Sequence, residues 1–170
     1  MYEQHQNEQY FFDQSTLEHL ANFVQQFENP CCLCVPLLGQ TLAQRGIKVR
    51  ILDIDNRFAT LPGFRHFDIY RPDYLDETFD LVICDPPFYN VSLSQLFTAV
   101  RQLAHFNFAQ PLMIAYLQRR GANVMGTFNK FNLSPTGYFP KYQTVQDIER
   151  NKIEFLSNLE QNLVQQLLEG

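Results

Sequence analysis

The chain has 170 residues with 45% apolar and 18% charged side chains, and carries 16 Phe and 8 Tyr. That composition fills a core of one domain spanning 1–170, leaves too little length for two ordinary domains and excludes global disorder. A formal net charge of −5 argues against a strongly basic grip on nucleic acid.

In chain order, the first predicted element is a helix over STLEHLANFVQQF (15–27), with Leu17, Leu20, Val24 and Phe27 on one stripe and Ser15 or Thr16 as its cap. Short β-rich runs follow at CCLCVP (31–36), IKVRILDID (47–55), FRHFD (64–68), FDLVICD (79–85) and PLMIAYL (111–117). Strands separated by helical patterns predict an α/β protein with a parallel sheet. VRIL and LVIC lack strict alternation, as strands covered on both faces do. A helix over SLSQLFTAVRQLAHF (92–106) presents Leu93, Leu96, Phe97, Val100 and Leu103, with Ser92 as cap. The Gly-, Asn- and aromatic-rich stretch 121–146 reads as loop with one strand near TFNKFNL (127–133). NKIEFLSN (151–158) predicts a strand. A terminal helix over 159–168 places Leu159, Leu163, Val164 and Leu167 on one face, to be packed on its own domain or paired with a second copy, so that the chain is a monomer or a homodimer.

Cys31, Cys32, Cys34 and Cys84 are predicted to be reduced and buried, because adjacent strand residues point to opposite faces and cannot build a disulfide framework. His5, His19, His66 and His105 show no metal-ligand spacing, so no metal is expected. The start lacks the profile of a secretion signal and no run is long and apolar enough for a membrane helix, which predicts a cytoplasmic protein without membrane contact. Between Asp85 and Asp147 there is no acidic residue, whereas Arg101, Arg119, Arg120, Lys130 and Lys141 fall in that span. Interleaved with Phe128, Phe131, Tyr138, Phe139 and Tyr142, they predict a locally positive, aromatic surface suited to an anionic planar partner.

The chemistry concentrates at Asp85-Pro86-Pro87-Phe88, directly after FDLVIC. In a parallel α/β sheet, ligands collect at the carboxyl ends of the strands. The Asp85 carboxylate and the Pro86 carbonyl are two acceptors suited to an NH2 group, and Phe88 offers a face on which a planar base stacks. Two prolines stiffen the turn, so little reorganisation is needed in a transition state.

The DPPF tetrapeptide after a strand resembles the motif of S-adenosylmethionine-dependent amino-methyltransferases. QYFFDQSTLEHLA (9–21), ILDIDNRF (51–58), FDIYRP (67–72), FDLVICDPPF (79–88) and NKIEFLSNLE (151–160) together resemble the small N6-adenine methyltransferase-like family, over residues 9–160. Some members of that family methylate lysine in a translation elongation factor. The resemblance implies a Rossmann-like methyltransferase fold, a mostly parallel seven-stranded sheet with helices on both faces and the last two strands antiparallel. It implies S-adenosyl-L-methionine as cofactor, Asp53 on its ribose hydroxyls and Asp68 at its adenine amino group, with Asp55 left to the turn or to Arg57. The first strand is not followed by G-x-G; CVPLLGQTLAQRG has Pro36 and a single Gly39 there. The methionine end of the cofactor is therefore assigned to backbone around Val35–Leu37, to Pro36 and to Phe11 or Phe12. The implied activity is N-methylation, of adenine N6 in nucleic acid or of a protein lysine. A third reading is a noncatalytic, methyltransferase-like binding subunit.

Overall fold

The structure, a computed structural model, describes residues 1–170. Five parallel strands form its centre: β1 (Pro30–Leu33), β2 (Arg50–Asp53), β3 (Phe64–His66), β4 (Leu81–Cys84) and β5 (Leu112–Leu117). β7 (Ile153–Ser157) runs antiparallel to β5, and the two-residue β6 (Ser134–Pro135) antiparallel to β7, giving the order β3-β2-β1-β4-β5-β7-β6. Every residue of β1, β4 and β5 is buried, which accounts for their uninterrupted apolar sequences. Edge strand β3 exposes Arg65 and His66.

α1 (Gln14–Val24) is capped by Asp13, whose carboxylate accepts the Thr16 N–H at 2.9 Å, and not by Ser15 or Thr16. Thr16 is buried because its hydroxyl accepts the Lys141 N–H, tying the helix to a distant loop. α2 (Pro36–Gln44) begins with proline, whose missing N–H costs nothing at that position. Gly39, the single glycine after β1, stands inside this helix. A Cβ there would lie 2.6 Å from Ile51 Cγ1, so the glycine lets α2 close onto β2. α3 (Leu93–Leu103) is capped by Ser92 as its sequence predicts, and buries Leu96, Val100 and Leu103.

Residues 127–133 form no strand. α4 (Gly121–Thr127) and a following 3-10 turn, Asn129–Phe131, occupy that stretch, and pairing is delayed to Ser134–Pro135. Val124, Phe128 and Phe131 recur at spacings of four and three, so helical turns bury all three where alternating strand geometry would expose one or more. Phe128 and Phe131 pack with Phe97 and Phe108 at 5.1–6.5 Å between ring centroids. These aromatics are therefore core. α5 (Gln161–Glu169) packs on α1 of its own chain, with Leu167 fully buried and its carbonyl 2.5 Å from a His19 ring nitrogen. No helix is long and apolar enough to cross a membrane.

Gly39→Ala is expected to lower stability by about 1–3 kcal/mol, as overpacking does, although alanine is the better helix former. Chemical denaturation of the two proteins checks the sign.

Candidate active site

The strand order reverses at β1: the chain moves outward through β2 and β3, then returns to place β4 on the other side. A cleft is expected at the carboxyl ends beside such a switch point. A solvent-open cavity of about 220 Å³ lies there, far above the room a single water needs. Its walls bring together Pro36, Asp53, Asp68 and the whole Asp85–Phe88 tetrapeptide.

Each acid is held differently. Asp53 ends β2, is 8% exposed, and accepts the Asp55 N–H on Oδ1 at 2.8 Å, while its Oδ2 has no protein donor. Burial pushes its carboxyl up to about 6, against the backbone amides of Asp55 and Ile54 that lower it, and the neighbouring Asp55 charge adds to the rise. Two residues on, Asp55 goes the other way. Burial alone would raise it, but hydrogen bonds from Arg57, as close as 2.7 Å, and from Gln9 at 2.8 Å hold it below the ordinary aspartate range. Asp55 is thus spent on the turn, and Asp53 keeps an acceptor oxygen facing a ligand space. Asp68 lines the cavity after β3 and accepts the Tyr70 N–H at 2.9 Å.

Asp85 follows the fully buried β4. Burial pushes its carboxyl up to about 8, opposed by a hydrogen bond that Tyr142 Oη donates to Oδ1 at 2.9 Å. Its Oδ2 and the Pro86 carbonyl accept no protein hydrogen bond, and both residues line the cavity. The half-buried Phe88 ring packs against Tyr116 at 4.9 Å, and its carbonyl accepts from Tyr116 Oη and from Arg120, each at 3.1 Å.

Phe11 and Phe12 do not line the cavity. Phe11 packs edge-on to Phe58, and Phe12 packs on Tyr142 and Phe155 in the core, bridging Tyr142 through the backbone. Their apolar rings gain more from the core than from a polar mouth, and Asn7–Tyr10 form that wall instead. Cys34, expected in the core, is only half-buried and lines the cavity; Cys31, Cys32 and Cys84 are buried, and all four are free thiols. Nowhere do three His, Cys, Asp or Glu side chains converge as a metal site requires.

The five cations of the acid-free span do not share a face. Arg119 donates to Tyr89 Oη at 2.7 Å and Arg120 holds Phe88, both beside the tetrapeptide. Arg101 stacks on Phe97 and Phe106, and Lys130 on Phe108, away from the cavity. Of the interleaved aromatics, Phe128 and Phe131 are core, Tyr138 stacks on His19, Phe139 lies under Lys152, and only Tyr142 reaches the cavity.

Residues 3–167 match the family described as probable N6-adenine methyltransferase. The chain belongs to that family. Its fold is that of S-adenosylmethionine-dependent methyltransferases. Magnesium protoporphyrin IX methyltransferase from Synechocystis PCC 6803, solved with bound S-adenosylmethionine, is 15% identical over 86% of this chain and 79% of its own, with a TM-score of 0.56. The N-methyltransferase NodS from Bradyrhizobium japonicum is 14% identical over 86% and 95%, at 0.54. The methyltransferase domain of a bacterial Hen1 is 11% identical over 86% and 98%, at 0.57. No curated protein sequence is significantly similar to this one.

Within this family member, Glu8, Gln9, Cys34 and Tyr142 line the cavity but stand outside the sequence-derived site, and Tyr116 and Arg120 hold it from behind. Gln9 had a signal, since it opens one family-like segment and bonds Asp55 and Arg57 of another, and Tyr142 and Arg120 belong to the acid-free aromatic span.

Asp85 is expected to titrate near pH 8 by carboxyl-carbon NMR, and Tyr142→Phe, which removes the lowering hydrogen bond, to move its midpoint higher. The folded state then keeps a proton that the unfolded chain releases near the ordinary aspartate value. The linked stability is present at acid pH and lost as pH rises through about 8; Asp85→Asn should flatten that dependence in urea unfolding.

Proposed function

We propose that the chain is an S-adenosylmethionine-dependent N-methyltransferase whose acceptor is adenine N6 in nucleic acid. The observation that carries this reading is the pair of open acceptors, Asp85 Oδ2 and the Pro86 carbonyl, beside a stacked aromatic ring in one cavity with Asp53 and Asp68. When bound, the cofactor supplies an electrophilic methyl group on a sulfonium.

The residues present fit that cofactor. Asp53 has a buried carboxylate with one oxygen free for ribose hydroxyl donors. Asp68 offers an acceptor one strand further out for the adenine amino group. Pro36 and the start of α2 wall the side next to β1 and would hold the methionine end.

Asp85 and Pro86 accept the two hydrogens of the acceptor NH2, which favours a pyramidal nitrogen with its lone pair available to the methyl carbon. With the cofactor bound, the acceptor nitrogen would gain the methyl group that the sulfonium gives up and would shed one proton. Asp85 Oδ2 is placed to take it when the carboxyl is ionised, and the burial that raises its proton affinity makes that carboxylate the stronger base. Phe88 and Pro87 shape the slot for the base. Rate enhancement comes from holding the two reactants in one orientation. Arg119 and Arg120 beside Phe88, with the exposed Tyr89 ring, suit a polynucleotide's phosphates and bases, and an unpaired base reaches the cavity without duplex opening.

A second reading, protein-lysine methylation, is favoured by one feature. A neighbouring hollow of about 480 Å³ shares Tyr142, Val145 and Ile153 with the cavity and carries Asp13, Asp147 and Glu149, three acids against the two cations Lys141 and Lys152, an excess that suits an ammonium. Four unpaired thiols fit the reducing cytosol, where we place the protein. A noncatalytic binding role leaves the two open acceptors without a purpose.

Tritiated cofactor and a cell lysate decide between acceptors. Label should enter nuclease-sensitive material and fall at least about 100-fold with Asp85→Ala, with cofactor affinity held within a few-fold. A nuclease-resistant protein band would establish the lysine reading, and undiminished transfer by Asp85→Ala would refute the role given to Asp85. Cofactor affinity measured by calorimetry should weaken as pH falls through about 6, where Asp53 takes up a proton and loses acceptor capacity. Asp53→Asn should remove that dependence and bind about 10- to 100-fold more weakly throughout.

A further inference from the structure

The segment before α1, residues 3–10, crosses the cavity as a strap tied to three different loops. Glu3 accepts the Thr144 hydroxyl at 2.5 Å and the Phe11 N–H at 2.7 Å, fixing one end to the connection between β6 and β7. Gln9 donates to Asp55 at 2.8 Å and accepts from Arg57 at 3.0 Å, fixing the other to the turn after β2. Between them Glu8 adopts a left-handed backbone with φ of 51°, which a non-glycine residue holds at some cost. Its carboxylate is directed at the loop after β4. It accepts the Phe88 N–H at 3.1 Å, the Tyr89 N–H at 3.1 Å, and the Asn90 N–H.

Three successive amides converging on one carboxylate form an anion nest filled from within the chain. The opposite side of Phe88 is held through its carbonyl by Tyr116 and Arg120. With Glu8 withdrawn, those three N–H groups would lose their partner, and the ring of Phe88 would be restrained from one side only. Asn7, Glu8, Gln9 and Tyr10 also line the cavity, so the strap that shapes the ligand space is the same strap that grips the acceptor loop.

We propose that Glu8 is a positioning residue for methyl transfer: by gripping the Phe88, Tyr89 and Asn90 amides, it sets the acceptor loop only when strap 3–10 is seated across the cavity. Seating of the strap and placement of the acceptor base are thereby coupled. This rests on the methyltransferase reading of the cavity, whereas the grip itself is a property of the unliganded protein.

Amide hydrogen exchange of the unliganded protein reads the grip without any cofactor. In Glu8→Ala the Phe88, Tyr89 and Asn90 amides should exchange at least about tenfold faster, the Val82 amide within β4 should keep its rate, and Glu8→Gln, which retains one acceptor oxygen, should lie between. In turnover at saturating cofactor, Glu8→Ala should lower kcat about 10- to 100-fold, with the Kd for S-adenosylhomocysteine within about fivefold of wild type and partial recovery in Glu8→Gln. Unchanged exchange at the three amides, acceleration spread equally through β4, or a wild-type kcat in Glu8→Ala would each overturn the proposal. A wild-type protein that binds no cofactor would instead remove the methyltransferase reading, and the three amides would still decide for or against the grip.

Discussion

β4 is buried along its whole length, and the carboxyl group that follows it has to reconcile two demands. It stands where water is scarce, which disfavours its charge, yet it needs an oxygen free of the protein to serve as an acceptor. A charged partner would satisfy the first demand and defeat the second: a guanidinium would engage both oxygens, as Arg57 does at Asp55. The chain supplies a phenol instead. Tyr142 donates a single hydrogen bond to Oδ1, enough to offset part of the burial penalty, and leaves Oδ2 in the cavity with its proton affinity high.

The same logic separates the two acids after β2. Asp53 and Asp55 are both buried and two residues apart, yet their carboxyls shift in opposite directions. What distinguishes them is the number of donors each receives from its own chain. Asp55 collects Arg57 and Gln9 and stabilises the turn. Asp53 receives a backbone amide on one oxygen and offers the other outward. Availability to a ligand follows from this imbalance of internal donors, since burial is common to both.

These relations also mark how far the sequence could be read. β1, β2, β4 and β5, their order of appearance, the capping of α3 by Ser92 and the placement of Asp85 directly after β4 all follow from local patterns of a few residues, whereas Asp53 and Asp68 stand out only through the family resemblance. Tyr142 is 57 residues from Asp85 and Glu8 is 80 residues from Phe88, and no periodicity encodes either pairing. Phe11 and Phe12 lie inward of the cavity because of contacts distant in sequence, Phe12 through its backbone bridge to Tyr142 and Phe11 through its packing on Phe58. The acid-free span misled differently. A run defined along the chain is not a surface, and folding sends Arg101 and Lys130 to an aromatic cluster, away from the cavity that Arg119 and Arg120 flank.

The turn after β1 shows how the fold dispenses with its usual glycines. A left-handed residue is needed where the chain leaves β1 and reverses into α2, and Cys34 takes that conformation with φ of 61°. Its N–H bonds the Leu52 carbonyl at 2.9 Å, so pairing with β2 continues one residue past the strand and helps to offset the strain. Pro36 then fixes φ for the first turn of α2, and Gly39 brings the helix onto Ile51. The tasks that a glycine-rich loop performs together, a left-handed turn and close helix packing, are here divided between a strained cysteine and a glycine five residues later. The task left out is close backbone approach to a pyrophosphate, which a methyl donor lacking that group does not require.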